Sequence, residues 1–276
     1  MPREPRGIPR LRRHRPWGTL PNVNRISTIV ITKNEETNIE RCLRSVAPFS
    51  REIIVVDSGS TDGTVASAER FGARVLQRPW PGFGAQKQFA LEQAQQDWVF
   101  SIDADEEVSP SLCQEICALD FAADGYEMPR RVRYLGRWIR HGSWYPGYVL
   151  RLFRREVGRF TADRVHERVV VQGRKERLRH DLLHYSYRDI GHHLGKIDGL
   201  TSLAAMQMHE AGARSVLPGL VLRPPLEFLR VYLLRRGFRD GIPGLVVAAL
   251  HGTYVFLRYA KLYELRRRDP GEAPPP

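Results

Sequence analysis

The chain has 276 residues, of which 42% are hydrophobic, and this is enough for one large domain or one domain with an appendage. The formal net charge is +12, but residues 26–130 hold 9 Lys and Arg against 17 Asp and Glu, so the basic excess lies elsewhere in the chain. This asymmetry predicts a basic surface that meets a polyanion, for which nucleic acid, an anionic membrane face and a phosphorylated glycolipid are candidates.

The first 25 residues are rich in Pro and Arg and contain no continuous apolar stretch, which a signal peptide would need. We therefore expect a flexible basic arm over residues 1–25. The odd count of three cysteines and the missing secretion signal favour reduced thiols in a cytoplasmic protein. Residues 266–276 are predicted to form a disordered tail.

Four short runs rich in β-branched and aromatic residues alternate with stretches that are long enough for a helix. The runs are "STIVIT" (27–32), "EIIVVD" (52–57), "ARVLQR" (73–78) and "WVFSID" (98–103). Strands alternating with helices predict an α/β fold, with a Rossmann-like, mostly parallel sheet and helices on both faces. In such sheets ligands bind beyond the carboxyl ends of the strands, and polar segments follow three of these runs.

From residue 126 to 190 the composition shifts to Trp, Tyr, Arg, Gly and His, which predicts loops and a few strands around a ligand site. Residues 191–265 are predicted to be helical. They contain two apolar stretches, neither of which reaches the roughly 20 uninterrupted apolar residues of a spanning helix. Apolar stretches edged by arginines predict helices that lie in a membrane interface, and ordinary helices packed on the catalytic domain remain the alternative.

The segment "VFSIDADEEVSP" (99–110) ends an apolar run on four carboxylates, and like charges this close repel each other. Asp103 and Asp105 are spaced i, i+2 at a strand end, so both could converge on one divalent ion such as Mg²⁺ or Mn²⁺. An acidic helix start is the alternative interpretation. No glycine occurs in "TKNEETN" after the first strand, which excludes a P-loop and the dinucleotide fingerprint. Metal or basic residues must then hold any nucleotide phosphates.

Two further residues are candidates for nucleotide binding. Asp57 ends the second strand, where its carboxylate can accept hydrogen bonds from a nucleobase or ribose. Lys87, in the helix after the third strand, could reach a phosphate, and an exposed helix lysine is the alternative.

The segments "STIVITKNEETNIERCLRSV", "EIIVVDSGSTDGT" and "DWVFSIDADEEVSPSL", in this order, resemble the family 2 glycosyltransferases, which have the GT-A fold. "GRWIRHGSWYPGYVLRLFRR", "VHE" and "LLHYSY" are similar to the lipopolysaccharide-core β-glucosyltransferase subgroup. The resemblance implies inverting sugar transfer from a nucleotide-diphosphate sugar, with Mg²⁺ or Mn²⁺ under the diphosphate. It also implies a GT-A domain over 26–190, with nucleotide-sugar binding in 26–125 and the acceptor and catalytic part in 126–190.

The same resemblance assigns site residues. It implies a donor site of Thr32, Asn34, Glu35, Asp57, Lys87, Asp103 and Ala104. Asp105 is expected on the metal, with His166 and His184 able to complete the metal shell. Glu167 of "VHE" is the expected general base and Asp163 its alternative. Trp144, Tyr145 and Arg151 are expected to line the acceptor side.

We therefore expect a cytoplasmic enzyme, peripheral on the inner face of the cell membrane. Its donor is expected to be a UDP-sugar, with glucose as the sugar, and its acceptor a lipid-linked or lipopolysaccharide-core saccharide; no nucleic-acid partner is expected. A sugar-phosphate nucleotidyltransferase has a similar sheet but needs a Gly-rich loop after the first strand. A non-catalytic nucleic-acid or membrane-binding protein would leave the carboxylates at the strand ends without a use.

Overall fold

The computed structural model describes residues 25–161, 168–213 and 216–267. The strands in these ranges are, in chain order, β1 (Ile26–Thr32), β2 (Glu52–Asp57), β3 (Arg74–Gln77), β4 (Trp98–Asp103), β5 (Glu106–Val108), β6 (Gly125–Tyr134), β7 (Arg137–Trp138), β8 (Gly147–Arg154), β9 (Gly158–Phe160), β10 (Val169–Val171), β11 (Lys175–Arg177) and β12 (Leu182–His184). The helices are α1 (Glu36–Val46), α2 (Thr64–Arg70), α3 (Phe83–Glu92), α4 (Pro110–Cys117), α5 (Ile190–Glu210), α6 (Val216–Val221), α7 (Arg223–Leu229) and α8 (Gly241–Arg267). A π-helical turn (Arg230–Leu234) and a 3-10 turn (Gly237–Asp240) join α7 to α8.

One large sheet organises the chain, in the strand order β3-β2-β1-β4-β8-β6-β12-β5. The first four strands are parallel, whereas β8 runs antiparallel to both β4 and β6. All seven residues of β1 are buried, because a central parallel strand is covered on both faces. The register sets Thr32 opposite Asp57 and Ile31 opposite Asp103, so β1, β2 and β4 end at one edge of the sheet.

Helices cover both faces of this sheet. On one face α1 contributes Ile39 and Leu43 to a core that also contains Leu112 of α4. On the other face α3 contributes Ala90 and Leu91, which pack with inward-facing residues of β1, β2 and β4. The predicted α/β class, a mostly parallel sheet with helices on both faces, is confirmed.

The C-terminal helices pack against one another and against the 126–190 region. Ala205 of α5 and Tyr259 of α8 share a buried apolar cluster, and Val247 of α8 packs with Tyr134 of β6. The buried carboxylate of Asp240 accepts hydrogen bonds from the backbone N–H groups of Arg140 (3.1 Å) and His141 (2.8 Å). The helical segment is therefore docked on the sheet domain through both apolar and polar contacts.

The other side of the helical segment leaves large apolar side chains exposed. The most exposed are Leu234 (79%), Ile242 (75%) and Leu217 (70%). Within the described ranges, one helical stretch, Gly237–Arg267, is long and apolar enough to cross a membrane by length and composition, and a third of its most apolar window is buried in the protein. The expectation that neither apolar stretch is long enough to span was therefore wrong for the second stretch. Helix α8 continues through His251, Arg258 and Lys261, the polar residues that interrupt its apolar sequence.

Two predicted termini fall mainly outside the described residues. These are the basic arm over 1–25, of which Arg25 alone is described, and the tail over 266–276, of which α8 includes the first two residues.

Candidate active site

The loops after β1 and β2 are tied together beside the carboxyl edge of the sheet. Asn34 has a left-handed backbone (φ 55°), its N–H donates to Ser60 Oγ (2.8 Å), and its Oδ1 accepts from the N–H of Thr61 (2.8 Å). The buried Asp57 accepts hydrogen bonds from the N–H groups of Gly59 and Ser60, both 2.9 Å away. Asp57 therefore orders its own loop, and a contact to a nucleobase stays a prediction.

Two predicted donor-site residues at the carboxyl end of β1, Thr32 and Glu35, have polar side chains in unusual environments. The Oγ1 of Thr32 is buried and forms no hydrogen bond with any described residue. Glu35 accepts from the side-chain amide of Asn38 (2.7 Å), and burial raises the pKa of the Glu35 carboxyl. An unpartnered buried hydroxyl is rare in native proteins and is often explained by a missing ligand or water.

Asp103 lies in a compact network of charges where β4 ends. Lys87 Nζ lies 2.9 Å from its Oδ1, and Arg151 Nη2 donates to its Oδ2 at 2.6 Å. The same Arg151 nitrogen donates to Glu106 Oε1 at 2.6 Å, and the N–H of Asp103 donates to Glu106 Oε2 at 3.1 Å. Burial alone would raise the pKa of Asp103, but Arg151 and Lys87 outweigh it and hold that pKa well below its usual range. Asp103 is therefore a fixed, ionised acceptor beside the sheet edge.

Asp105 lies two residues further on and has a different partner. Its Oδ2 is 3.3 Å from Nε2 of His184, and its backbone carbonyl accepts from the N–H of Tyr185 (2.9 Å). Burial raises the pKa of Asp105, but the interaction with His184 outweighs it and lowers that pKa. The Nδ1 of His184 is buried and forms no hydrogen bond with any described residue.

The contacts of Asp103, Asp105 and His184 determine which of them could bind a divalent ion. Both carboxylate oxygens of Asp103 already face cations, so the prediction that Asp103 and Asp105 share one ion does not match this arrangement. Asp105 and His184 together offer two protein ligands, and no group of three or more His, Cys, Asp or Glu that could hold a metal occurs in residues 25–161, 168–213 and 216–267. Mg²⁺ sites commonly use one or two carboxylates plus substrate phosphates, so Asp105, with His184 beside it, fits an ion that a diphosphate helps to hold.

Comparison with known proteins identifies the family of the chain. The model of glycosyl transferase family 2 matches residues 27–163. The lipopolysaccharide core biosynthesis glycosyltransferase LpsC of Rhizobium meliloti is 35% identical over 249 residues, which cover 87% of this chain and 92% of LpsC. The chain belongs to glycosyl transferase family 2. It is thus a glycosyltransferase with the GT-A fold, which sets aside the nucleotidyltransferase and the non-catalytic binding protein.

Other relatives of this glycosyltransferase are less informative. An uncharacterized glycosyltransferase of Rickettsia typhi is 34% identical over 263 residues, covering 88% of each chain. Among solved structures, S. aureus TarS superposes with a TM-score of 0.44 at 15% identity, covering 88% of this chain and 91% of that chain. A similarity of that size adds nothing about the ligands of this glycosyltransferase.

The structure changes the interpretation of several residues of the Asp-x-Asp segment. Lys87 is buried and ion-paired, so the exposed-lysine alternative is wrong. Glu106 is fully buried, whereas its neighbour Glu107 pairs with Tyr185 (2.7 Å) at partial exposure. Helix α4 begins at Pro110 with Ser109 as its cap and no acidic residue in its first turn, so the acidic helix start is also wrong. The buried Ala104 completes the turn between β4 and β5.

The three predicted acceptor residues have different contact partners. Arg151 points into the Asp103–Glu106 network, because the carboxylates of Asp103 and the buried Glu106 attract it, and its expected position on the acceptor side stays a prediction. Trp144 stacks on Tyr187 with ring centroids 5.3 Å apart and donates from Nε1 to His251 of α8 (3.1 Å). The hydroxyl of Tyr145 donates to Asp181 (3.0 Å). Trp144 thus belongs to the junction with the C-terminal helices.

Three predicted site residues lie outside the described residues. They are the candidate bases Asp163 and Glu167 and the candidate metal ligand His166, all within 162–167.

Sequence reasoning missed the role of Glu106 and Arg151 as a pair. A signal was present, because an arginine in the apolar run "YVLRLF" needs a buried counter-charge.

Proposed function

We propose that this protein transfers glucose from a UDP-sugar, with inversion and with a divalent ion, to a lipopolysaccharide-core or lipid-linked saccharide. One observation carries the proposal: an ionised Asp103 is held by Lys87 and Arg151 where β4 ends, and Asp105 lies beside it against His184. The carboxyl end of a parallel sheet is where such folds bind their ligands. The similarity to LpsC supports the lipopolysaccharide-core acceptor.

Inverting transfer is a direct displacement in which the acceptor oxygen bonds to the anomeric carbon as the bond to the diphosphate breaks. Asp103 can accept a hydrogen bond from a donor hydroxyl, and its rigid ion pairs hold it in place without reorganisation. Mg²⁺ or Mn²⁺ at Asp105 and His184 would supply positive charge for the leaving diphosphate. Glu167, or Asp163, would take the proton from the acceptor hydroxyl.

We also propose that the enzyme works as a peripheral protein on the inner face of the cytoplasmic membrane. Residues 223–268 hold ten Lys and Arg against three acidic residues, and the exposed apolar side chains lie among or next to them. Each basic residue near an anionic leaflet contributes about 1 kcal/mol, and apolar insertion adds to this. An acceptor anchored in the leaflet would then lie in reach of the site.

The donor and the metal are tested by one screen. Hydrolysis of UDP-glucose, UDP-galactose and the corresponding GDP- and ADP-sugars is measured with Mn²⁺, with Mg²⁺ and with EDTA. We expect UDP-glucose hydrolysis that needs the divalent ion. Full turnover in EDTA, or a preference for a different nucleotide, would contradict this part of the proposal.

The membrane location is tested by co-sedimentation with vesicles that contain anionic lipid. The protein is expected to bind at low salt and to be released by high salt or carbonate. Leu234→Glu with Ile242→Glu should weaken binding by about tenfold or more, because each change removes a large apolar side chain from the lipid. Val170→Glu, an exposed apolar residue of β10, is the matched control. Resistance to carbonate would instead indicate a spanning helix.

A further inference from the structure

A small pocket opens next to the Asp-x-Asp segment, and neither the family comparison nor the proposed donor chemistry uses it. It has a volume of about 230 Å³ and is lined by Arg133, Leu135, Gly136, Tyr185, Tyr187 and Arg188. Pockets for drug-sized ligands have volumes of roughly 300–1,000 Å³, so this one suits a single small group such as one substituted sugar.

The pocket lies beside the predicted metal position. Tyr185 follows His184 directly, and its N–H donates to the carbonyl of Asp105 at 2.9 Å. Because Tyr185 also lines the pocket, the pocket is adjacent to the turn that carries Asp105. A group bound here would therefore be a neighbour of the reacting centre.

Two arginines give the pocket a positively charged lining. Neither the Arg133 nor the Arg188 guanidinium forms an ion pair with a carboxylate of the described residues. Two other arginines of this region do form ion pairs: Arg41 pairs with Glu107 (3.7 Å) and Arg130 with Glu106 (3.5 Å). The Arg133 Cζ lies 5.9 Å from the Tyr185 ring centroid, so a guanidinium and an aromatic face line the same space.

We propose that this pocket binds an oxyanion, phosphate or carboxylate, carried by a sugar of the acceptor. A guanidinium presents paired N–H donors that match both oxyanions, and the side chains of Tyr185 and Tyr187 line the same pocket as the two arginines. The inference rests on the proposed function and adds the chemical class of its acceptor: a negatively charged saccharide, positioned by Arg133 and Arg188 so that its hydroxyl faces the donor.

The test measures binding of glucose 6-phosphate, glucuronate, glucose and inorganic phosphate to the full chain by saturation-transfer NMR and calorimetry. It uses the wild type, Arg133→Gln with Arg188→Gln, and the control Arg174→Gln, an exposed arginine paired with Glu176 away from the pocket. UDP with Mn²⁺ is titrated into each variant. The comparison of glucose 6-phosphate with glucuronate shows which oxyanion the pocket prefers.

We expect at least one anionic sugar to bind at least tenfold more tightly than glucose. The double variant should lose that preference while the control keeps it, and UDP affinity should stay within about twofold in both. Equal binding of charged and neutral sugars, or of free phosphate and sugar phosphate, would contradict the proposal that the pocket binds an anionic sugar. A fall in UDP affinity in the double variant also overturns it, because the arginines would then hold the donor. Absence of UDP binding in the wild type would instead contradict the proposed function.

Discussion

Replacing Arg151 with methionine tests the charge network beneath the candidate site. One guanidinium nitrogen lies 2.6 Å from an oxygen of Asp103 and 2.6 Å from an oxygen of Glu106, so these two oxygens are at most about 5 Å apart. Methionine fills similar space but leaves the two carboxylates facing each other. Lys87 remains on Asp103 at 2.9 Å and Arg130 remains 3.5 Å from Glu106, so the loss is only partly compensated.

The expected cost follows from these distances. Two unit charges about 5 Å apart repel by about 3 kcal/mol at an effective dielectric constant near 20. Removal of one partner of a buried ion pair typically costs about 3–5 kcal/mol, because it leaves an uncompensated buried charge. With the remaining cations we expect Arg151→Met to lower the free energy of unfolding by about 3 kcal/mol at pH 7.5. At about 2–4 °C per kcal/mol, the Tm falls by about 6–12 °C.

The dependence on pH separates this electrostatic cost from lost packing. The pKa of Asp103 is lowered in the folded wild type, so its stabilising contribution is present above its unfolded value of about 3.9 and is lost as the pH falls through the folded pKa. In Arg151→Met the guanidinium no longer stabilises the charged forms of Asp103 and Glu106, so one of these two carboxylates takes a proton more readily. The difference in stability between wild type and variant should therefore shrink from pH 7.5 to pH 4.5. Urea denaturation followed by circular dichroism at both pH values measures it.

Two further variants make the result decisive. Arg155→Met removes an exposed arginine directly after the end of β8 and should cost less than about 0.5 kcal/mol. Arg151→Met with Glu106→Gln should recover much of the loss, since the amide oxygen can still accept from the N–H of Asp103. If Arg151→Met costs no more than Arg155→Met, or if the double variant is less stable than the single one at both pH values, the electrostatic account is refuted.

Three other predictions concern individual side chains. Asp105→Ala should abolish the Mn²⁺-dependent part of UDP binding in calorimetry while the circular dichroism spectrum is unchanged; unaltered affinity would remove Asp105 from the metal site. Glu167→Gln should bind donor but transfer sugar about 10²-fold more slowly, and loss of transfer only in Asp163→Asn would reverse the choice of base. Glu35→Gln should raise the Tm at pH 8 and leave it nearly unchanged at pH 4, because a raised carboxyl pKa means that the folded state disfavours the charged form, at a cost that is present only at the higher pH. Glu69→Gln, on the exposed side of α2, is the control for Glu35 and should shift neither value.

The local pattern of the sequence determined the first half of the fold and the position of the candidate site at the strand ends. The runs "EIIVVD" and "WVFSID" became β2 and β4 with the predicted limits, and the limits of β1 and β3 differ by one residue, because β-branched residues and burial favour the same short extended segments. The change from apolar residues to carboxylates at Asp103 predicted where β4 ends. The Asp-x-Asp segment was recognisable because its residues are adjacent in the chain.

Only the tertiary structure decided the partners of those carboxylates. Arg151 and Glu106 are 45 residues apart, and they meet because β8 is inserted antiparallel beside β4, an order of strands that no local pattern specifies. In the same way, the sequence of α8 shows an apolar helix, but packing on Tyr134 and the hydrogen bonds to Asp240 choose which side is buried. Propensity and periodicity act within a few residues along the chain. The pairing of distant charges and the choice of a buried helix face depend on contacts that exist only once the sheet has formed.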